Sequence, residues 1–148
     1  MQLARRLFRL PWADKSLLVK AFLLIACVRI AFLLLRFTRT KGLLDRFQKR
    51  PIPRLVAQRQ RSDRIARMVE IASHMIPKGR HCLTRAMVLE LFLRRRGYDA
   101  HVKIGVARDD SGKLIAHAWL HCDGVVLIGS HGAANYVEVS PPPSRPSR

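Results

Sequence analysis

The spacing of apolar residues changes at Gly97, and this change limits the fold more than any other feature of the sequence. Between Cys82 and Gly97, apolar residues recur with the spacing of a partly buried helix, and glycine favours the position that ends such a helix. After Gly97, the apolar residues at 102, 104 and 106 alternate with other residues, which is typical of a half-buried strand. The sequence therefore predicts an α+β domain, in which a helix beginning at Cys82 packs on a small antiparallel sheet.

Three more strands are predicted after the first one, separated by residues that favour turns. They cover residues 113–122, 125–128 and 136–139. The dipeptide Asp123–Gly124 is a strong signal for a two-residue hairpin turn, which would place Cys122 opposite Val125. Counting outward from this pair places Ser130 opposite His117.

The most hydrophobic segment, residues 17–37, predicts a long helix with Asp14 as its N-cap. A membrane-spanning helix needs about twenty predominantly apolar residues, and Arg29 near the centre would cost several kcal/mol in a bilayer. We therefore interpret the segment as a core helix or an interfacial helix. A second helix is predicted over residues 55–75, with Ser62 as an N-cap partway along.

Basic residues are concentrated in the first part of the chain, which has a net charge of +18 as a whole. Residues 1–61 contain fifteen Lys and Arg against two acids, whereas the remainder contains thirteen against eight. This excess indicates an anionic partner or surface for the first segment. We divide the chain into a basic, Leu-rich helical extension (1–60), a folded domain (61–140) and a disordered tail (141–148).

Cys82 is a candidate nucleophile because unpaired N–H groups and the helix dipole favour a thiolate at a helix N-terminus. A cysteine at the start of a helix, followed by a histidine on an antiparallel strand, is the order in which a papain-like or transglutaminase-like site is built. His117 is that histidine. The simplest alternative makes both residues inert members of the core. A zinc site is disfavoured because His117 and His121 would lie about 13 Å apart on one strand. Its candidate ligands are His81, Cys82, His117, His121 and Cys122.

Four short motifs support the catalytic interpretation when they are taken together. They are Cys-Leu-Thr-Arg-Ala at 82–86, Leu-Arg-Arg-Arg-Gly at 93–97, Lys-Ile-Gly-Val at 103–106 and Ala-His-Ala-Trp-Leu at 116–120. Over about residues 65–128 the chain resembles the transglutaminase-like leader peptidases of lasso-peptide biosynthesis, which share their domain with the C-terminal half of the microcin-processing protease. The resemblance implies a cysteine protease with Cys82 as nucleophile, His117 as general base and no metal or organic cofactor. Arg85 and Trp119 are predicted to contact the substrate.

The resemblance also implies partners. The substrate would be a precursor peptide, and a separate cyclase of the asparagine-synthetase type would close the macrolactam after the leader is removed. Nothing in residues 1–60 looks like a winged-helix leader-binding domain, so we expect another protein to deliver the leader. The widely spaced cysteines favour the cytoplasm. The basic N-terminal helices predict contact with a membrane surface, and no specific nucleic acid is expected.

The group that orients His117 is left open by the sequence. Members of this family commonly have an acid near the opposing position, where the chain has Ser130. Ser130 and Asp123 are the two candidates, although about 20 Å of strand would separate Asp123 from the imidazole. Asn135 or a backbone carbonyl could also hold the ring.

Two alternatives from other classes fit the same residues. A basic adaptor with a degenerate peptidase domain would dock on an anionic membrane or an acidic partner through residues 5–61. An acyl-transferring enzyme on the same fold would pass the acyl group to an acceptor other than water.

Overall fold

The computed structural model describes residues 11–34, 40, 42, 44, 59–76, 82–130 and 135–139. The helices whose bounds it gives are α1 (Trp12–Leu34), α2 (Arg59–His74) and α3 (Cys82–Arg94). The strands are β1 (Ala100–Arg108), β2 (Leu114–Cys122), β3 (Val125–Ile128) and β4 (Val137–Glu138), and they form one antiparallel sheet in the order β3-β2-β1-β4. The predicted α+β arrangement, with an N-terminal helix and a helix that begins with cysteine, is confirmed. The start of the second predicted helix and the tail at 141–148 lie outside the described residues.

α3 ends at the glycine that was predicted to end it. Gly97 has a φ of 79°, and its N–H donates to the Arg94 carbonyl at 3.0 Å. The next residue, Tyr98, donates its N–H to the Leu93 carbonyl at 3.1 Å and has a buried side chain. This pair of bonds is the Schellman motif. It reverses the chain, so that β1 runs back along α3 toward the start of the helix.

Both hairpin turns of the sheet form at the predicted residues. The Asp109 carboxylate accepts hydrogen bonds from two backbone N–H groups of the turn between β1 and β2, each at 3.0 Å. Between β2 and β3, Asp123 and Gly124 have φ values of 50° and 82°, which is what a type I′ turn requires. β1 and β2 pair along their whole length.

The pairing of β2 with β3 departs from the predicted register. The first pair after the turn forms as predicted. Beyond it, an irregularity between Leu120 and His121 shifts the register by one residue, and Leu120 pairs with Ile128. β3 then ends, before it reaches the level of His117. The prediction that Ser130 lies opposite His117 is therefore wrong, because counting from a turn assumes a regular ladder.

α3 lies at the centre of the core, in contact with β1 and β2 as well as with α1 and α2. Its buried apolar side chains are Ala86, Met87, Val88, Leu89, Leu91 and Leu93. On β2, the buried residues Ala118, Leu120 and Cys122 belong to the same cluster. Because successive side chains of a strand point to opposite faces, these three define the inner face of the sheet. His117 and Trp119 lie on the outer face.

Both predicted N-caps are wrong. Asp14 lies within the first turn of α1, and its buried carboxylate meets the guanidinium of Arg64 in α2. The contacts are bidentate, at 2.6 Å from Nε to Oδ1 and 2.7 Å from Nη2 to Oδ2. The hydrogen bond to Asp14, followed by its charge, raises the pKa of Arg64. Ser62 lies inside α2 and is buried. The acid therefore joins two helices, and it does not cap one.

α1 is long and apolar enough to cross a membrane, judged by length and composition. One of its faces packs on α2 and α3, where Ala21 and Ile25 are fully buried. On this face α1 is a core helix, which is one of the two interpretations of residues 17–37. The division of the chain at residue 60 stays a prediction.

A substitution at Leu93 tests the packing of α3 on the sheet, because the Leu93 side chain is 0% exposed. We expect Leu93→Ala to lower the free energy of unfolding by about 2–5 kcal/mol, since the surrounding structure cannot fully fill the cavity. Urea denaturation followed by circular dichroism measures the loss. Leu114→Ala removes the same atoms at the start of β2, where the side chain is 62% exposed, and should cost about 0.5 kcal/mol or less. Equal losses in the two variants would contradict this packing.

Candidate active site

Cys82 is the first residue of α3, and its free thiol is half-buried at the edge of the core. Backbone N–H groups in the first turn of a helix have no acceptor within the helix, so they can donate to a negative charge formed there. The preceding residues 77–81, which include Arg80 and His81, lie outside the described residues. Cys82 thus combines an accessible sulfur with the electropositive end of a packed helix.

Cys82 and His117 lie at the same end of the domain. The Val102 N–H of β1 donates to the Glu90 carboxylate of α3 at 3.4 Å. Glu90 of the helix therefore lies beside Val102 of the strand. The helix rises about 12 Å between Cys82 and Glu90, and the strand advances about 10 Å from Val102 to Gly105. Because the helix and the strand run in opposite directions, the start of α3 lies level with Gly105. Gly105 pairs directly with His117.

The imidazole of His117 and the helix α3 lie on different faces of β2. Ala118 and Leu120 point toward α3 and are buried, whereas His117 points the other way. β3 ends at Ile128, so within the described residues no strand pairs with His117 on the side of β2 away from β1.

A backbone carbonyl holds the imidazole of His117. The Nε2 atom lies 3.0 Å from the carbonyl oxygen of Gly129, the residue that follows β3. A carbonyl oxygen only accepts hydrogen bonds, so Nε2 carries the hydrogen and Nδ1 of the neutral ring keeps its lone pair. An imidazole held in this tautomer can accept a proton at Nδ1. A backbone carbonyl is one of the orienting groups that the sequence leaves open.

Two aromatic rings enclose the imidazole. The ring of Trp119 is stacked on it at a centroid distance of 6.2 Å, and the ring of Tyr136 lies 5.3 Å away. Gly105, directly opposite His117, provides the space for this arrangement. A Cβ atom at Gly105 would lie 2.7 Å from the Trp119 ring and 2.8 Å from the Tyr136 Cβ. Glycine at this position lets both aromatic side chains close around His117.

The backbone carbonyl of Gly129 can approach the imidazole of His117 because Gly129 has no side chain. Its φ is 77°, a conformation that residues with a Cβ atom disfavour. A Cβ atom there would also lie 2.8 Å from the Ala118 carbonyl oxygen and 2.9 Å from the Trp119 Cβ. The Gly129 peptide is therefore held tightly against β2. Sequence reasoning missed this residue, and its only signal was a glycine directly after a predicted strand.

Neither residue predicted to orient His117 bonds the imidazole among the described residues. Asp123 lies at the far end of β2, where its carboxylate accepts from the Asp99 N–H at 3.4 Å and from the Cys122 thiol at 3.8 Å. Ser130 follows Gly129 and is exposed. The structure therefore assigns Asp123 a place in the hairpin turn, and the contact to the imidazole comes from the Gly129 carbonyl.

Arg85 lies one turn after Cys82 and connects α3 to α2. Its Nη1 is 3.6 Å from Oε1 of Glu70, and its side chain is 19% exposed. Within the part of the chain that the structure describes, its Nε is buried and has no hydrogen-bond partner. The roles of Arg85 and Trp119 in substrate binding stay predictions.

The described residues contain no group of three His, Cys, Asp or Glu side chains that could hold a metal ion. His121, one member of the zinc alternative, pairs with His101 at the end of the sheet far from His117. The His101 imidazole contacts the Asp99 carboxylate at 2.7 Å. His81, another member, lies outside the described residues.

Comparison with known families agrees with the fold. The family model described as the transglutaminase-like superfamily matches residues 24–140, which is more than half of the chain. The chain therefore belongs to the transglutaminase-like superfamily. This superfamily includes cysteine peptidases and transglutaminases. No curated protein and no solved structure matches the chain.

Proposed function

We propose that this protein is a cysteine peptidase in which Cys82 is the nucleophile and His117 is the general base. The hydrogen bond between His117 Nε2 and the Gly129 carbonyl carries the proposal, because it leaves Nδ1 as a proton acceptor. Membership of the transglutaminase-like superfamily supports it further. The start of α3, with its free thiol, lies level with Gly105, which pairs with His117, although the imidazole is on the face of β2 opposite to α3.

In the proposed reaction, Nδ1 of His117 accepts the thiol proton, and Sγ of Cys82 attacks the carbonyl carbon of the scissile peptide bond. Backbone N–H groups at the start of α3 can donate to the oxyanion that develops. The imidazolium then gives its proton to the leaving amine as the C–N bond breaks, which leaves a thioester on Cys82. Water attacks the thioester with His117 as base, and the thiol is restored.

The substrate that we propose is a ribosomally made precursor peptide of the lasso type, from which the enzyme removes the leader. The motifs at residues 82–86 and 116–120 support this choice, because together they resemble those of the lasso-peptide leader peptidases. The proposal includes two further proteins, one that recognises the leader and an asparagine-synthetase-like cyclase that acts on the released core peptide. The reaction would take place in the cytoplasm.

The experiment that tests the proposal uses the full chain and a synthetic precursor peptide, with and without a leader-recognition protein. Mass spectrometry should detect a leader with a free C-terminal carboxylate and a core peptide with a free amine. Rapid acid quenching should trap the leader as a hydroxylamine-sensitive thioester on Cys82. His117→Ala should lower the rate of thioester formation by at least about a hundredfold.

Three results would contradict the proposal. Cleavage at an undiminished rate by Cys82→Ala would rule out this nucleophile. If an added alkylamine captures the leader as an amide faster than water releases it, the protein is an acyl-transferring enzyme. The absence of fragments and adducts with every peptide tested would favour the adaptor interpretation.

A further inference from the structure

We propose that the outward face of α1 binds the surface of an anionic membrane, with the helix lying in the membrane plane. This inference is independent of the peptidase activity, because it rests on a surface that contains neither Cys82 nor His117. The outward face consists of large apolar side chains that the domain does not cover. They are Trp12 (86% exposed), Val19 (56%), Leu23 (56%), Ile30 (55%), Leu33 (84%) and Leu34 (77%).

These side chains form a continuous stripe along the helix. Apart from the adjacent Leu33 and Leu34, successive members are three, four or seven residues apart, which puts all six on one side of α1. A contiguous apolar stripe of this length on a folded domain usually marks a contact with a membrane or a protein. Exposed residues at the edge of the stripe include Ser16, Lys20 and Cys27, and none of the three is acidic.

The opposite face of α1 excludes a spanning orientation for the folded protein. Ala21 and Ile25 are fully buried against the rest of the domain, and Asp14 is tied to Arg64 of α2 by the bidentate ion pair. A helix that crossed the bilayer would have to leave these contacts and take the buried carboxylate into the hydrocarbon. A helix in the membrane plane keeps all of them and buries only its outward face.

The distribution of charged residues in α1 and its neighbours favours an anionic membrane as the partner. Asp14 is the only acid in α1, and it faces inward, whereas Lys20 is exposed and Lys15 lies over the Trp12 ring at 5.6 Å. Residues 1–61 carry fifteen basic residues against two acids. Basic residues beside an apolar stripe place their charged ends at lipid headgroups. A second copy of the chain would bring +18 against +18, so self-association through this face is disfavoured.

Tryptophan fluorescence gives a direct test with the full chain. The protein has two tryptophans, and Trp119 is already buried, so Trp12 is the one whose surroundings can change on binding. Vesicles of phosphatidylcholine with about one third phosphatidylglycerol should shift the emission to the blue. Vesicles of phosphatidylcholine alone should produce a much smaller shift, and 1 M NaCl should weaken the response because it screens the charges. Trp12→Phe should abolish the shift.

Two substitutions with the same chemistry provide the matched comparison. Leu23→Glu places a charge on the outward face, whereas Leu114→Glu places it on β2, where Leu114 is 62% exposed. Co-sedimentation with anionic vesicles should fall at least about tenfold for Leu23→Glu and less than about twofold for Leu114→Glu. Ile30→Glu should repeat the first result. Thermal unfolding of each variant reports whether the fold is kept.

Three outcomes would overturn the proposal. The first is equal binding to neutral and anionic vesicles. The second is full vesicle binding by folded Leu23→Glu and Ile30→Glu. The third is a stable dimer in solution that both substitutions dissociate, together with no vesicle binding, because the outward face would then be an interface between two copies.

Discussion

Cys82→Ala is expected to lower the rate of peptide cleavage by at least about a thousandfold. The substitution deletes the sulfur that forms the thioester, and alanine offers no other nucleophile at the start of α3. Because the side chain is half-buried at the edge of the core, removal of one sulfur should leave the fold intact. Single-turnover cleavage followed by mass spectrometry measures the rate, and thermal unfolding checks the fold.

The other two cysteines supply the controls for this prediction. Cys27 is exposed on α1, so Cys27→Ala should change neither activity nor stability. Cys122 is buried on the inner face of the sheet, so Cys122→Ala should lower stability and leave the rate of the folded enzyme unchanged. If Cys82→Ala cleaves within tenfold of the unchanged protein, Cys82 is not the nucleophile.

Gly129→Ala is expected to lower the cleavage rate by about a hundredfold and to destabilise the fold. The new Cβ atom would meet the Ala118 carbonyl oxygen and the Trp119 Cβ at less than 3 Å, so the Gly129 peptide would have to move away from β2. Its carbonyl would then leave Nε2 of His117, and the imidazole would lose the bond that fixes its tautomer. The pH dependence of the cleavage rate should change as well, which loss of stability alone would not cause.

Gly112→Ala separates this effect from backbone strain. Gly112 has nearly the same φ, 78°, but a Cβ atom there would have nothing within 4 Å. Gly112→Ala should therefore cost about 1 kcal/mol in stability and leave the cleavage rate unchanged.

Ser130→Ala should also leave the cleavage rate within about twofold of that of the unchanged protein. If Ser130→Ala abolishes cleavage while Gly129→Ala is active, the serine hydroxyl orients the imidazole.

In the proposed mechanism, the group that accepts the hydrogen bond from His117 Nε2 is a neutral carbonyl, which affects how well the imidazolium is stabilised. A carboxylate in this place would stabilise the imidazolium by charge, whereas the Gly129 carbonyl offers only a dipole. In the proposed mechanism, a thiolate–imidazolium pair would therefore gain less stabilisation than in a site whose histidine meets an acid. The proposed mechanism would then rely more on the N–H groups at the start of α3.

Local sequence was enough to predict the helix and the strands that carry the site. Gly97 ends α3 because glycine adopts a positive φ without strain, and the Schellman bonds that follow involve only neighbouring residues. The turn at Asp123 and Gly124 is specified in the same way. The alternation along β2 assigned His117 and Trp119 to one face before the sheet was known. Each of these features depends on residues that are close in the chain.

Only the tertiary structure determined which groups those residues contact. The shift between Leu120 and His121 depends on how two strands fit together, and it replaced the predicted Ser130 by the carbonyl of Gly129. Asp14 looked like a cap, but its partner Arg64 is fifty residues away on another helix. Both faces of α1 are apolar, so the sequence could not tell which face is buried, and packing against α2 and α3 made that choice. These outcomes depend on contacts between distant segments, which local spacing does not encode.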